Sequence, residues 1–342
     1  MRFSLYPARP RTMYFKRYTG KCSSMYAIEA SHLSKRFRDV AALGDVSFTV
    51  NEGETFGYLG PNGAGKTTTI RILTGISPPT SGSAAIFGHD IVNDTIAARQ
   101  SMGIVSETSN VYDDLTAWQN MLFAAELYDV DPATRKKKAA ELLSTFGLYE
   151  RRESKAHGFS KGMKRRLTLA MGLVSSPRLL FLDEPTSGLD VESNMIIRGV
   201  ITDLVRDGVT VFLTTHNIEE ANLMCDRVAI INRGTIAAVD APERLKKTIQ
   251  SVQSIEVSFD RPNAGTLDAL SGLAPVNNVI KEGDKFRLYT SDPSTVIEAV
   301  MEYARSQKLR VESITTLGPT LEDVFIKITG LKTTGGAVHA ID

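Results

Sequence analysis

The chain has 342 residues, an apolar fraction of 42%, a charged fraction of 23% and a formal net charge of +1. These are ordinary values for a soluble globular protein, and the length suits one large domain with a small one beside it. Six cations (Arg2, Arg9, Arg11, Lys16, Arg17, Lys21) crowd the first 24 residues with no acid among them, leaving 34 cations against 39 acids elsewhere. A mildly acidic body of this kind is a poor nucleic-acid surface, which needs a clustered basic excess.

Residues 1–24 lack the apolar core of a secretory signal and are expected to form an unstructured tail, or to precede an effective start at Met25. Two cysteines, Cys22 and Cys225, cannot build a disulfide framework, which suggests a reducing compartment. No run of about 18 apolar residues is present to span a bilayer.

Ordered patterning starts at Ile28. VSFTV (46–50) and TFGYLG (55–60) read as strands around the turn Asn51-Glu52-Gly53. The second runs through glycines into the helix KTTTIRIL, closed by Gly75, and MGIV (102–105) is a further buried strand. From Leu115 to Val174 the signals are helical, with a capping box at Thr116 and Gln119 and an N-cap at Asp131 before Pro132. Strands LLFL (179–182), VTVFLTT (209–215) and RVAIIN (227–232) follow, with a helical stretch between the first two. Strands alternating with helices predict a parallel sheet covered on both faces, with the helical block inserted. Residues around 236–251 read as a linker. Beyond them the order βαββαβ predicts a small α+β domain of the split-βαβ, ferredoxin-like kind, then a last helix TLEDVFIKI and a tail. The expected boundaries are 25–245 for the large domain, about 108–174 for its helical block, 252–331 for the small domain and 332–342 for the tail.

GPNGAGKT, Gly60 to Thr67, fits G-x-x-x-x-G-K-[ST] between a strand and a helix, the context that pattern requires. Gly60, Gly63 and Gly65 let backbone N–H groups turn toward phosphate, and the helix N-terminus adds partial positive charge. Lys66 then reaches the β- and γ-phosphates, and the Thr67 hydroxyl can ligate Mg²⁺. The expected nucleotide contacts are Gly60, Pro61, Asn62, Gly63, Ala64, Gly65, Lys66, Thr67 and Thr68. In LLFLDEPTSGLD, Asp183 and Glu184 end a buried strand, which suits Asp183 to hold Mg²⁺ through water and Glu184 to polarise the attacking water. His216 ends the next strand, and neighbouring parallel strands bring their C-terminal ends to one crevice. His32, His89, His157 and His339 read as structural.

These motifs, in this order, resemble those of the ATP-binding cassette family, from about Ile28 to Val239. The resemblance implies a P-loop NTPase core, an α/β fold with an inserted helical subdomain. FSKGM (159–163) looks like the family's signature sequence, matching at Ser160 and Gly162 and departing at Phe159, Lys161 and Met163. In the family, two cassettes pair head to tail and the signature of one caps the ATP of the other. Ser160 and Gly162 would then act in trans, with Lys164, Arg165 and Arg166 left as a solvated helix face. Phe37 matches the aromatic that stacks on adenine, and Asp190 the loop that meets the partner cassette. Glu107 stands where the family usually has a glutamine, so it is expected either as a third acid at the metal, beside Asp183 and Glu184, or in its loop's own contacts or at the partner subunit.

The small domain and TLEDVFIKITG resemble ATP-binding subunits of daunorubicin-resistance-type exporters. The resemblance implies an ATPase using ATP and Mg²⁺, paired as a homodimer or with another cassette. It would work at the cytoplasmic face of the membrane through a separate transmembrane permease, with no nucleic-acid partner. The rivals are a soluble cassette ATPase acting on ribosomes or DNA, whose paired cassettes or long coiled coils this chain lacks, and a non-hydrolysing regulatory module, which Glu184 and His216 argue against.

Overall fold

The computed structural model describes residues 26–248 and 253–330, with the backbone at 333–334 and 337–338. The basic segment 1–24, with Cys22, and His339 lie outside these residues. Two compact units emerge, one ending at Val239 and the other beginning at Asp240.

The first unit starts with two long strands, β1 (Tyr26–Phe37) and β2 (Val40–Asn51), joined directly and paired antiparallel. After β3 (Thr55–Leu59) and α1 (Lys66–Leu73) come β4 (Ser81–Ile86), β5 (His89–Asp90), α2 (Thr95–Gln100) and β6 (Met102–Val105). The helical block holds α3 (Ala117–Leu127), α4 (Pro132–Thr145) and α5 (Lys161–Gly172). Then β7 (Leu179–Asp183), α6 (Val191–Arg206), β8 (Thr210–Thr215), α7 (Ile218–Met224), β9 (Arg227–Asn232) and β10 (Thr235–Asp240) complete it.

The helical caps are those the sequence spells. Thr116 and Gln119 close a capping box on α3, and Asp131 accepts from the Ala133 N–H ahead of Pro132 on α4.

Two sheets replace the single one expected. A six-stranded sheet runs β10-β9-β3-β8-β7-β6, with β3, β6, β7, β8 and β9 paired parallel. VSFTV belongs instead to an antiparallel sheet, β2-β1-β4-β5. A two-residue connection cannot make a parallel crossover, so β1 and β2 must pair antiparallel. The sheets meet over an aromatic cluster: Phe48 of β2 packs on Phe56, Tyr58 and Phe212 at ring-centroid distances of 5.5, 5.6 and 6.0 Å, and Phe181 joins Phe212 at 5.4 Å. Strand alternation sends Gly57, Gly103 and Leu180 to the opposite face. There Gly57 leaves room for Cys225, just past α7, and a Cβ on Gly103 would strike the Gly172 carbonyl of α5.

The stretch read as a linker is ordered through Thr248. Ile236 and Val239 of β10 pack against the first unit's core at the sheet edge, and α8 (Pro242–Lys247) follows, begun by proline at its first position. In the second unit β11 (Gln253–Phe259), α9 (Thr266–Ser271), β12 (Val276–Glu282), β13 (Lys285–Thr290), α10 (Pro293–Ser306) and β14 (Val311–Leu317) form an antiparallel sheet ordered β12-β13-β11-β14. Its core joins Ile255, Val257, Phe286 and Leu288 to Val296 and Val300 of α10. The last helix, α11 (Leu321–Thr329), opens with a Thr320–Asp323 capping box, and Asp323 also pairs with the buried Arg287 of β13 at 3.4 Å.

Because Phe212 lies fully buried at the centre of the aromatic cluster, Phe212→Ala is expected to destabilise the first unit by about 3–5 kcal/mol. Urea unfolding followed by far-ultraviolet circular dichroism measures it; an unchanged midpoint would refute the cluster as the joint between the sheets.

Candidate functional site

The phosphate loop turns from β3 into α1. Gly63 and Gly65 hold φ of +78° and +108°, the left-handed region that glycine enters without steric cost. A Cβ on Gly65 would also come within 2.7 Å of Leu43 and 2.8 Å of the Ala42 carbonyl. Pro61 and Ala64 face inward, while Asn62, Gly63 and Thr67 are exposed at the mouth of the loop and Thr68 is half-buried behind it. Lys66 is buried, donating to the carbonyls of Gly60 at 2.8 Å and Pro61 at 3.2 Å.

Register brings the acids to this loop. Leu59 pairs with Thr215 and Asp183 with Thr214, so β3, β7 and β8 end at one level. Asp183 takes the Thr67 hydroxyl on Oδ2 at 3.0 Å and the Thr214 hydroxyl on Oδ1. Glu184 Oε1 lies 3.3 Å from Lys66 Nζ, and Oε2 lies 2.9 Å from His216 Nδ1. The Glu184 backbone sits at φ +48°, a conformation that a side-chain-bearing residue holds only under constraint. Its hydrogen bond to Glu184 raises the His216 pKa above the ordinary 6.5, against the opposing effect of burial.

The donor set tests what this crevice can hold. A hydroxyl and a carboxylate oxygen 3.0 Å apart are hard ligands of the kind Mg²⁺ prefers. The loop's turned backbone and Lys66 suit polyphosphate. Glu184 Oε1 is buried without a hydrogen-bond donor, which leaves it able to accept one from water.

Other expected residues take different places. Phe37 ends β1 half-exposed, with Lys35 Nζ 5.0 Å from its ring centroid, available for stacking. Ser160 caps α5, accepting from the Met163 N–H at 3.2 Å. Gly162 is buried against its own chain: a Cβ there would collide with Ser193 and come 2.8 Å from Asp190 Oδ2. Asp190 caps α6, accepting from the Ser193 N–H at 2.8 Å and hydroxyl at 3.0 Å, and these bonds lower its pKa. Glu107 does not join a metal-holding group of three acids; no such group occurs among the described residues, and its side chain is exposed.

The basic run after the signature is not a uniformly solvated face. Lys164 pairs with Asp113 at 2.6 Å, and Arg166 donates to the Phe146 carbonyl at 3.0 Å. Arg165 is 3% exposed and donates to five main-chain carbonyls: Ser106, Glu107 (3.1 Å), Asp183 (2.7 Å), Glu184 (3.1 Å) and Pro185 (3.0 Å). Nothing in its type or spacing marks it among three successive cations. Glu220 of α7 is a second residue that no motif marks as part of the site. Its carboxylate accepts from the hydroxyls of Thr186 and Thr215, tying the loop after β7 to the end of β8, and burial raises its pKa. Asn217-x-x-Glu220 is a helix-start signal, and Asn217 does cap α7. A capping-box reading would nevertheless have sent this carboxylate to the wrong partner.

Comparison with known proteins adds to this geometry. A family model described as ABC transporter matches residues 43–187. The chain is 34% identical over 305 residues to the linearmycin resistance ATP-binding protein LnrL of Bacillus subtilis, covering 89% of this chain and 98% of that protein. It is also 34% identical over 307 residues to the daunorubicin/doxorubicin resistance ATP-binding protein DrrA of Streptomyces peucetius, covering 89% and 92%. Among solved structures, an ATP-binding subunit of an ABC transporter superimposes with a TM-score of 0.61 at 29% identity, over 65% of this chain and 92% of that one.

A histidine whose pKa is raised in the folded state stabilises most below its unfolded value, and that contribution disappears as pH climbs through the folded one. The thermal midpoint of the nucleotide-free protein should therefore exceed that of His216→Asn at pH 6, and the gap should narrow as pH rises above 6.5. A gap constant from pH 6 to 8.5 would show that the His216–Glu184 pair does not form.

Proposed function

The chain belongs to the ATP-binding cassette family of transporter ATPases, and from that premise we propose that it powers export of drugs or other hydrophobic compounds through a separate transmembrane subunit. Its family activity is hydrolysis of ATP to ADP and phosphate. The observation that carries the site assignment is the meeting of Thr67 with Asp183, and of Lys66 and His216 with Glu184, at adjoining strand ends.

In this reading the backbone of Gly60–Thr67 cradles the phosphates, and Lys66 turns from the Gly60 and Pro61 carbonyls to the β- and γ-phosphate oxygens. Thr67, and Asp183 through water, would hold Mg²⁺, which would supply charge neutralisation on the transferring phosphoryl group. Glu184 accepts a hydrogen bond from the attacking water and takes up its proton as the oxygen attacks. His216, held by Glu184, presents its other ring nitrogen toward the γ-phosphate. Phe37 stacks on the adenine. Ser160 and Gly162 address the ATP of a partner cassette in a head-to-tail pair, with Asp190 at the same junction.

No helix among the described residues is long and apolar enough to cross a membrane; the separate permease and the place at the cytoplasmic membrane face rest on family membership. Similarity to two drug-resistance ATP-binding proteins over nearly their whole lengths supports the exporter assignment. The element and strand order of the second unit support a ferredoxin-like accessory domain over 252–331, after a cassette domain over 25–245.

Glu184→Gln should bind ATP, lose about 10²–10⁴ in hydrolysis rate and accumulate an ATP-dependent dimer. Phosphate release and size-exclusion chromatography test both; near-normal turnover would remove Glu184 from its role. A protein that remains monomeric under saturating ATP would refute the paired arrangement. Since the Glu107 side chain is exposed and belongs to no metal-holding group of acids among the described residues, Mg²⁺ titrations of ATPase activity should superimpose for wild type and Glu107→Gln. A rightward shift in the mutant would return Glu107 to the metal site.

A further inference from the structure

Arg165 is a cation committed entirely to the main chain. A guanidinium carries five N–H groups, and here each has a carbonyl: Nε on Pro185, Nη1 on Ser106 and Glu107, Nη2 on Asp183 and Glu184. No carboxylate lies within ion-pair distance of it among the described residues. Burying a charge is costly unless it is fully paired and hydrogen-bonded, so a side chain chosen only to fill space at this point of α5 would not be arginine.

The pattern of acceptors is specific. The carbonyls of Asp183 and Glu184 flank the Glu184 Cα, and Pro185 comes next, so one planar group grips the peptides that set the Glu184 backbone angles. That backbone is the one held at φ +48°. The same guanidinium grips residues 106–107, just beyond β6. Arg165 itself rides on α5, five residues after the Ser160 cap, a rise of about 7.5 Å along one rigid helix.

We propose that Arg165 is a positioning residue that transmits the seating of the signature helix to the Glu184 carboxylate of the same chain. This rests on the reading in which Ser160 and Gly162 seat on the partner's nucleotide. Each chain would then sense ATP bound by its partner and, through α5 and Arg165, orient the carboxylate that acts on its own ATP, so the two composite sites are coupled. Lysine, a point charge with three donors, cannot reproduce the planar fork.

The test uses Arg165→Lys and, as a second variant, Arg165→Gln, each alone and combined with Glu184→Gln. With Arg165→Lys we expect a folded protein with a lowered thermal midpoint, a KM for ATP close to wild type, and a kcat lower by about tenfold to a hundredfold. In the Glu184→Gln background the ATP-dependent dimer should still form, and single-turnover hydrolysis should fall by less than about twofold beyond Glu184→Gln alone, because a residue acting through Glu184 has nothing left to position. A further drop in the double variant equal to that in the single one would overturn the proposal, as would loss of folding or of dimer formation in both variants. Those results describe a plain structural anchor. Absence of ATPase activity in the wild type would instead sink the functional reading on which the proposal rests.

Discussion

Two adjacent acids buried at the end of one strand dominate this structure. Asp183 and Glu184 are 4% and 7% exposed, and a buried carboxylate persists only where charges and donors surround it. Asp183 finds the hydroxyls of Thr67 and Thr214, and Glu184 finds Lys66 and His216. Each acid draws its two partners from different elements, so the phosphate loop, β8 and the segment after it must all end where β7 ends. The parallel register meets that requirement, and the aromatic cluster beneath holds the strands in it.

The main chain around the acids is braced separately. Arg165 binds the carbonyls from Asp183 to Pro185, while the Glu184 N–H donates to the Thr214 carbonyl at 3.1 Å. Glu220 then joins Thr186, just past the acids, to Thr215, just before His216. An unusual backbone angle at Glu184 is thereby over-determined, as is common where a side chain must be aimed at a reacting atom. Gly162 shows the same economy of space, since only a residue without a Cβ lets the start of α5 lie on the Asp190–Ser193 cap.

The motifs were legible because their chemistry is local. A glycine loop between a strand and a helix, two acids after four apolar residues, and caps such as Thr116–Gln119 each depend on neighbours within a few positions. The order of elements in the second unit could likewise be followed from alternation and turns. Less legible was the antiparallel sheet, since β1 carries the mixed run SHLSKRF and its exposure alternates irregularly across bulges. The segment 236–248 looked loose because β10 is half-exposed at a sheet edge and α8 is short.

By itself, the sequence determined the nucleotide-loop chemistry, the acids and histidine at strand ends, and the place of the helical block, because each is encoded by residue type at fixed spacing. Only the tertiary structure decided how the cations after the signature are used. Lys164, Arg165 and Arg166 are chemically alike in a sequence, yet one meets an aspartate and one a single carbonyl. Arg165 is enclosed by five carbonyls from segments up to 59 residues away. The same holds for Glu107, whose position in the motif suggested a metal ligand and whose side chain is exposed, outside any metal-holding group of acids among the described residues. A side chain's partners across such separations are fixed by where packing brings the chain, which no local pattern records.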